Sequence, residues 1–315
     1  MTSTPFRLVR LGAAGQERPG VETEHGVFRL DGLTERLDGG FLAADGMARV
    51  AAALDAGTLA RWEGAEALRR GAPIGRPGKI VCIGVNYRDH AAESGHPVPT
   101  EPVVFMKDPA TIVGPEDEVL IPVGSTKTDW EVELGVVIGR TARYLASPDE
   151  ALGVIAGYVV SHDVSEREFQ LERGGQWDKG KSCETFNPLG PWLVPAAQVP
   201  DPQSLGLRLW VNGVQRQNGN TRDMIFGVAH LIWYLSQFLV LHPGDLVNTG
   251  TPDGVALGRP DTPYLRAGDV VELEIDGLGR ARSVFRQATA SGRASETGGE
   301  PDAGARPAEE EKETA

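Results

Sequence analysis

The chain has 315 residues, enough to bury a substantial core in one large domain or in a large domain with a smaller companion. With 40% hydrophobic and 24% charged residues its composition is ordinary for a soluble protein, and 40 Gly and 22 Pro favour turns over long helices, which predicts a β-rich α+β fold. A net charge of -13 argues against general affinity for nucleic acid or an anionic membrane surface, since both need clustered Lys and Arg, and an acidic substrate would need a local cation.

From the start, short strands are expected near Phe6–Leu11 and Val27–Leu30 and helical segments near Gly46–Ala56 and Leu59–Arg70, making residues 1–77 a small α+β unit. Gly75-Arg76-Pro77-Gly78 reads as a connector. The main unit, residues 78–286, carries β-branched strands at Ile80–Gly84, Glu131–Ile138, Gly157–His162, Leu207–Val211 and Val270–Ile275, with a hairpin turn at Asn212-Gly213. Ile225, Val228, Ala229, Ile232, Leu235 and Leu239 recur at helical spacing and predict one core-facing helix from Thr221 to Leu239. Residues 287–315, rich in Gly, Ala, Ser, Glu and Pro, are expected to be a disordered acidic tail.

Cys82 and Cys183 are too few for a disulfide framework and have no zinc-type spacing, so they read as packed thiols in a reducing cytosol. No apolar run reaches the roughly 18 residues needed to span a bilayer, and Met1 to Arg10 lack a signal pattern. A cytoplasmic protein is the expectation.

Four clusters carry chemistry. In Asp129-Trp130-Glu131-Val132-Glu133-Leu134-Gly135, strand alternation sends Trp130, Val132 and Leu134 one way and Glu131 and Glu133 the other. Such a pair suits either a solvated sheet face or a cation site. Asp163, at the end of a second apolar strand, adds a third oxygen donor, a set that fits Mg²⁺ or Mn²⁺ better than zinc. After the strand Ile80–Gly84, His90 and Glu93 fall on one face of a short helix, close enough for the carboxylate to orient an imidazole that activates water; a surface pair is the plain alternative. Lys181, among small residues before a turn-rich segment, suits an oxyanion or a substrate carboxylate, or is simply exposed. Asn248-Thr249-Gly250-Thr251-Pro252-Asp253-Gly254 sets hydroxyls and backbone amides on a Gly-bounded loop that grips a carboxylate or merely turns.

In this order, over roughly Lys79 to Phe285, the clusters resemble the fumarylacetoacetate hydrolase family. The resemblance implies a mixed β-sandwich roll, a homodimer, and Glu131, Glu133 and Asp163 as ligands of Mg²⁺ (or Mn²⁺). It implies His90 and Glu93 as a water-activating pair on a segment that orders over bound ligand, Lys181 beside water or oxyanion, and Arg167, Gln170 and Thr251 as substrate contacts. The run Phe169 to Lys181 looks most like the branch of 2,4-diketo-3-deoxy-L-fuconate hydrolases, whose relatives are often labelled ureidoglycolate lyase. Three positions depart from the pattern: His162 stands where Asn is frequent, Asn187 replaces Gly or Cys, and Asp253 replaces Pro.

The expected reaction is hydrolysis of the C3–C4 bond of an acylpyruvate or 2,4-diketo-3-deoxy sugar acid, releasing pyruvate. Decarboxylation of an oxaloacetate-like acid, isomerisation and ureidoglycolate cleavage use similar sites within such a family, and a noncatalytic 2-oxo-acid-binding protein is the reading from another class.

Overall fold

The computed structural model describes residues 4–290. Its centre is a six-stranded mixed sheet in the order Val194–Pro195, Ile155–His162, Val132–Ile138, Leu246–Asn248, Ile80–Gly84, Val103–Lys107. Both faces are covered, so the central strands read as continuous apolar runs, and all seven residues of Val132–Ile138 are buried. On one face Trp130, Val132, Leu134 and Val136 join a core with Leu209, Leu273 and Phe285 from a five-stranded sheet and Leu231 and Leu235 from a helix. On the other, Val137, Val159 and Leu246 pack with Phe6, Leu8, Val21 and Phe41 of the N-terminal part. That part is a four-stranded antiparallel sheet, Gly26–Arg29, Arg18–Thr23, Arg7–Leu11 and Arg70–Gly71, with helices Gly39–Ala43 and Gly46–Asp55.

The five-stranded sheet runs Val214–Asn220, Gly206–Val211, Val270–Ile275, Gly279–Gln287, Val119–Ile121. Its first hairpin turns at Asn212 (φ 51°) and Gly213 (φ 77°), the paired left-handed conformation expected of an Asn-Gly turn.

Two predicted helices take other forms. Leu59–Arg70 forms only a 3-10 turn at Ala65–Ala67, because its amides bond elsewhere. Trp62 N–H donates to Val27 O, Arg29 N–H donates to Ala60 O, and Arg70–Gly71 joins the sheet beside Leu11 and Arg10. The helix expected over Thr221–Leu239 is α-helical only at Val228–Ser236, after a 3-10 turn at Thr221–Asp223. Between them Asn86 captures the chain: its backbone oxygen accepts from Ile225 N–H at 2.7 Å and its side-chain Oδ1 from Phe226 N–H at 2.9 Å. The strand Arg18–Thr23 is an addition to the predicted elements. The tail expected from residue 287 on lies, for 291–315, outside the described residues.

Candidate metal centre and active site

Register brings the three acidic residues together. In the antiparallel pair Val132 faces His162 and Glu133 faces Ser161, and Asp163 N–H donates to Glu131 O at 3.0 Å. Glu131 and Glu133 point off one face, as alternation requires, and one carboxylate oxygen from each of Glu131, Glu133 and Asp163 lies within 4.8 Å of the others. Gly135 keeps that face low: a Cβ there would lie 2.8 Å from Val159 Cγ1. The solvated-face alternative is overturned, since Glu131 is 4%, Glu133 1% and Asp163 0% exposed.

Buried cations surround the acids. Lys181 Nζ lies 2.8 Å from Glu131 Oε2 and 2.9 Å from Asp163 Oδ2. Arg167 pairs with Asp129 Oδ2 at 2.9 Å and Glu131 Oε1 at 2.7 Å, and Gln170 Oε1 accepts from the same guanidinium at 3.1 Å. Lys181 is therefore buried between two carboxylates rather than exposed. Burial alone would raise the Glu131 pKa, but Lys181 and Arg167 outweigh it and hold it well below the usual carboxylate range. They return the effect: despite burial, Asp163 and Glu131 keep Lys181 above its ordinary value.

Two charged members of the cluster carry no signal in the motif reading. Lys107 ends the strand Val103–Lys107 and reads as a surface residue, yet its ammonium is buried 2.5 Å from Asp163 Oδ1 and 3.0 Å from Val164 O. The available clue is alternation, which puts it on the same buried face as Phe105. Asp129 is fully buried, and beyond Arg167 it accepts from the Ala256 and Leu257 N–H groups at 2.9 and 3.0 Å.

Glu133 is different. Its Oε2 accepts the Gly250 N–H at 2.8 Å and it has no cation partner among the described residues. Burial, then Asp163 and Glu131, push its pKa well up. Three hard oxygen donors converging with one carboxylate uncompensated suit a divalent cation, and Glu131, Glu133 and Asp163 would hold it.

One cavity has His90, Glu131, Glu133, Arg167, Gln170, Lys181 and Thr251 in its wall, while the predicted residues Asp163 and Glu93 lie outside that wall. His90 reaches it from the helix Arg88–Glu93, launched by Val85 at φ 54°, a strained value for a β-branched residue. Its Nδ1 lies 3.8 Å from Glu93 Oε2, beyond hydrogen-bond reach, and the Glu93 oxygens accept from Gly254 N–H and Arg259. Burial works against ionisation of Glu93, but His90, the Gly254 amide and Arg259 prevail and lower its pKa. The loop's hydroxyls turn inward: Thr251 Oγ1 donates to Val132 O and Thr249 Oγ1 to Leu134 O, both at 2.9 Å, tying the loop to the Glu-bearing strand.

Each departing residue has a visible setting. Asn187 joins Ser161 and Asn248 in a buried hydrogen-bonded triangle. Burial, then Lys107, lower the His162 pKa to about 3, so its ring is neutral. Asp253 pairs with Arg259 at 3.2 Å.

Residues 79–286 match the family described as fumarylacetoacetate (FAA) hydrolase C-terminal, and the chain belongs to that family. A Burkholderia multivorans protein whose name goes no further than hydrolase is 53% identical over 285 residues, covering 90% of this chain and all of that one. Among solved structures, maleylpyruvate hydrolase from Sphingobium sp. SYK-6 superposes with a TM-score of 0.74 at 29% identity, and 2-hydroxyhepta-2,4-diene-1,7-dioate isomerase from Mycobacterium marinum with 0.68 at 30%. They cover 90% and 91% of this chain and all of their own. The fold is thus the mixed sheet-on-sheet roll expected, and the similar proteins named include both a hydrolase and an isomerase. Among the described residues no helix is long and apolar enough to cross a membrane.

Proposed function

We propose that the chain is a divalent-metal-dependent hydrolase that cleaves the C3–C4 bond of an acylpyruvate or 2,4-diketo-3-deoxy acid, with Mg²⁺ or Mn²⁺ at Glu131, Glu133 and Asp163. The observation that carries this reading is the buried acidic triad, two of whose members, Glu131 and Glu133, line the same cavity as His90 and Lys181. A divalent ion bound there would supply Lewis-acid polarisation of the 2-oxo group and counter-charge for an enolate leaving group. The chain's own residues do the rest. His90 directs Nδ1 towards Glu93, leaving Nε2 to take a proton from the water that attacks C4. Lys181, kept protonated by its carboxylate neighbours, offers N–H donors to the oxyanion that forms. Arg167, fixed by Asp129 and Glu131, and Gln170 orient the substrate carboxylate at the cavity wall. The phenyl ring of Phe105 and the indole of Trp177, packed edge to face at 5.4 Å, help to shield that cavity from water.

The test is loss of enol ultraviolet absorbance from a panel of acylpyruvates and 2,4-diketo-3-deoxy acids, with Mg²⁺ and with a chelator. Metal-dependent release of pyruvate supports hydrolysis; no turnover across the panel overturns it. Isomerisation is the second reading, favoured by the similarity to the M. marinum isomerase. It would use His90 on a C–H proton and leave the carbon chain intact, so a changed spectrum without pyruvate identifies it. The same proposal includes a cytoplasmic homodimer, which sedimentation of the purified protein tests for its oligomeric part.

A further inference from the structure

Glu93 is held at both carboxylate oxygens, and the one that faces His90 is shared with a backbone amide. Gly254 N–H donates to its Oε2 at 2.9 Å, and Arg259 Nε pairs with its Oε1. The same guanidinium reaches Asp253 Oδ2 at 3.2 Å. The loop is seated tightly here: a Cβ at Gly258 would lie 2.2 Å from the Glu93 carbonyl oxygen. Glu93's side chain is 9% exposed whereas those of Arg259 and Asp253 are each 42% exposed, so the bridge runs inward from solvent to Glu93. Arg259 is not part of the wall of the cavity that His90, Glu131 and Glu133 line. Whatever it contributes to chemistry must pass through Glu93.

We propose that Arg259 is a positioning residue: by bridging Glu93 and Asp253 it fixes the Glu93 carboxylate beside His90 and fastens the helix Arg88–Glu93 to the loop that carries Thr251. This rests on the reading of His90 as the base. A carboxylate held by one amide retains rotational freedom, whereas charge-assisted bonds on both oxygens from different parts of a loop leave one orientation. Without Arg259, the largely buried Glu93 loses its ion-pair partner and keeps only the Gly254 amide. The departure from the family pattern at Asp253 then has a role, as the outer anchor of the bridge.

The experiment uses the full chain with Mg²⁺ and acetylpyruvate as the first probe, or the fastest substrate of the panel. Arg259→Met lowers kcat about tenfold, a fraction of the hundredfold or more typical of losing a general base, while KM and Mg²⁺ affinity change by less than about twofold. Arg259→Lys, which keeps the charge, recovers most of the loss. In a Glu93→Gln background Arg259→Met has no further effect, as expected for a residue acting through Glu93. An unchanged kcat, equal losses in both backgrounds, or a Lys variant no better than Met overturns the proposal. Should Arg259→Met fail to fold, Asp253→Asn, which loosens the outer end, runs through the same cycle with a smaller loss. Amide exchange of residues 88–95 reads the tie without turnover: it quickens in Arg259→Met, and unchanged exchange also overturns the bridge. Full activity in His90→Ala would instead sink the underlying reading, whereas an inactive His90→Ala beside a silent Arg259→Met sinks the bridge alone.

Discussion

Glu131, Glu133 and Asp163 are held by sheet register, the first and last also by buried cations and Glu133 by a backbone amide, whereas His90 rides on a six-residue helix fastened by contacts from a separate loop. Glu131 and Asp163 have ion pairs at 2.5–2.9 Å, while the His90–Glu93 distance is 3.8 Å. A site divided this way is preformed where charge must be balanced and adjustable where a proton must move. Catalytic hydrogen bonds commonly tighten only with substrate bound.

The contrast predicts that damage on the acid side couples stability to function, and damage on the His90 side leaves stability nearly alone. Glu131→Gln is the largest test. It removes a ligand and takes one of two carboxylate partners from each of Lys181 and Arg167, so calorimetric Mg²⁺ binding and turnover should disappear together and the metal-free protein should lose about 3 kcal/mol. Mg²⁺ binding at wild-type strength would break the assignment. Lys107→Met should destabilise by roughly 3 kcal/mol in denaturant unfolding, at the low end for a broken buried pair because Lys181 still faces Asp163. A loss under about 1 kcal/mol would mean that Lys107 is dispensable to the cluster.

His90→Ala should reduce kcat roughly a hundredfold and keep both Mg²⁺ binding and melting temperature close to wild type. A much smaller loss would favour decarboxylation, which needs no attacking water. Glu133→Gln is the subtlest. A carboxyl whose folded pKa is raised costs nothing below about pH 4, where folded and unfolded chains are both protonated, and costs more as pH rises and the unfolded chain ionises first. Metal-free Glu133→Gln should therefore melt a few degrees above wild type at pH 7 and level with it at pH 4. Wild-type Mg²⁺ affinity should fall as pH drops, because the ion must displace the Glu133 proton. Equal melting at pH 7 would mean that Glu133 is already stabilised as the anion.

Much of this was legible in the sequence where one local rule decides the outcome. Alternation along Trp130 to Leu134 placed the two glutamates on one face, the apolar run ending at His162 placed Asp163 at a strand end, and Asn212-Gly213 made its hairpin. The rule failed where distant backbone competes for the same amides. Asn86 breaks the apolar helical pattern after Thr221, and the strand Gly26–Arg29 draws Leu59–Arg70 away from helix. Lys107 and Asp129 were missed because a single Lys or Asp is usually solvated, and only their partners reveal otherwise.

By itself, then, the sequence determined which residue types lie where along each strand and turn, since φ/ψ preference and side-chain alternation act between near neighbours. Tertiary structure alone decided which charges share a buried space: that Lys181 joins Glu131 to Asp163, that Glu133 has no cation partner among the described residues, and that Glu93 answers to Arg259. Those pairings form between residues far apart in the chain, and their strength depends on exclusion of water that only the packed sheets provide.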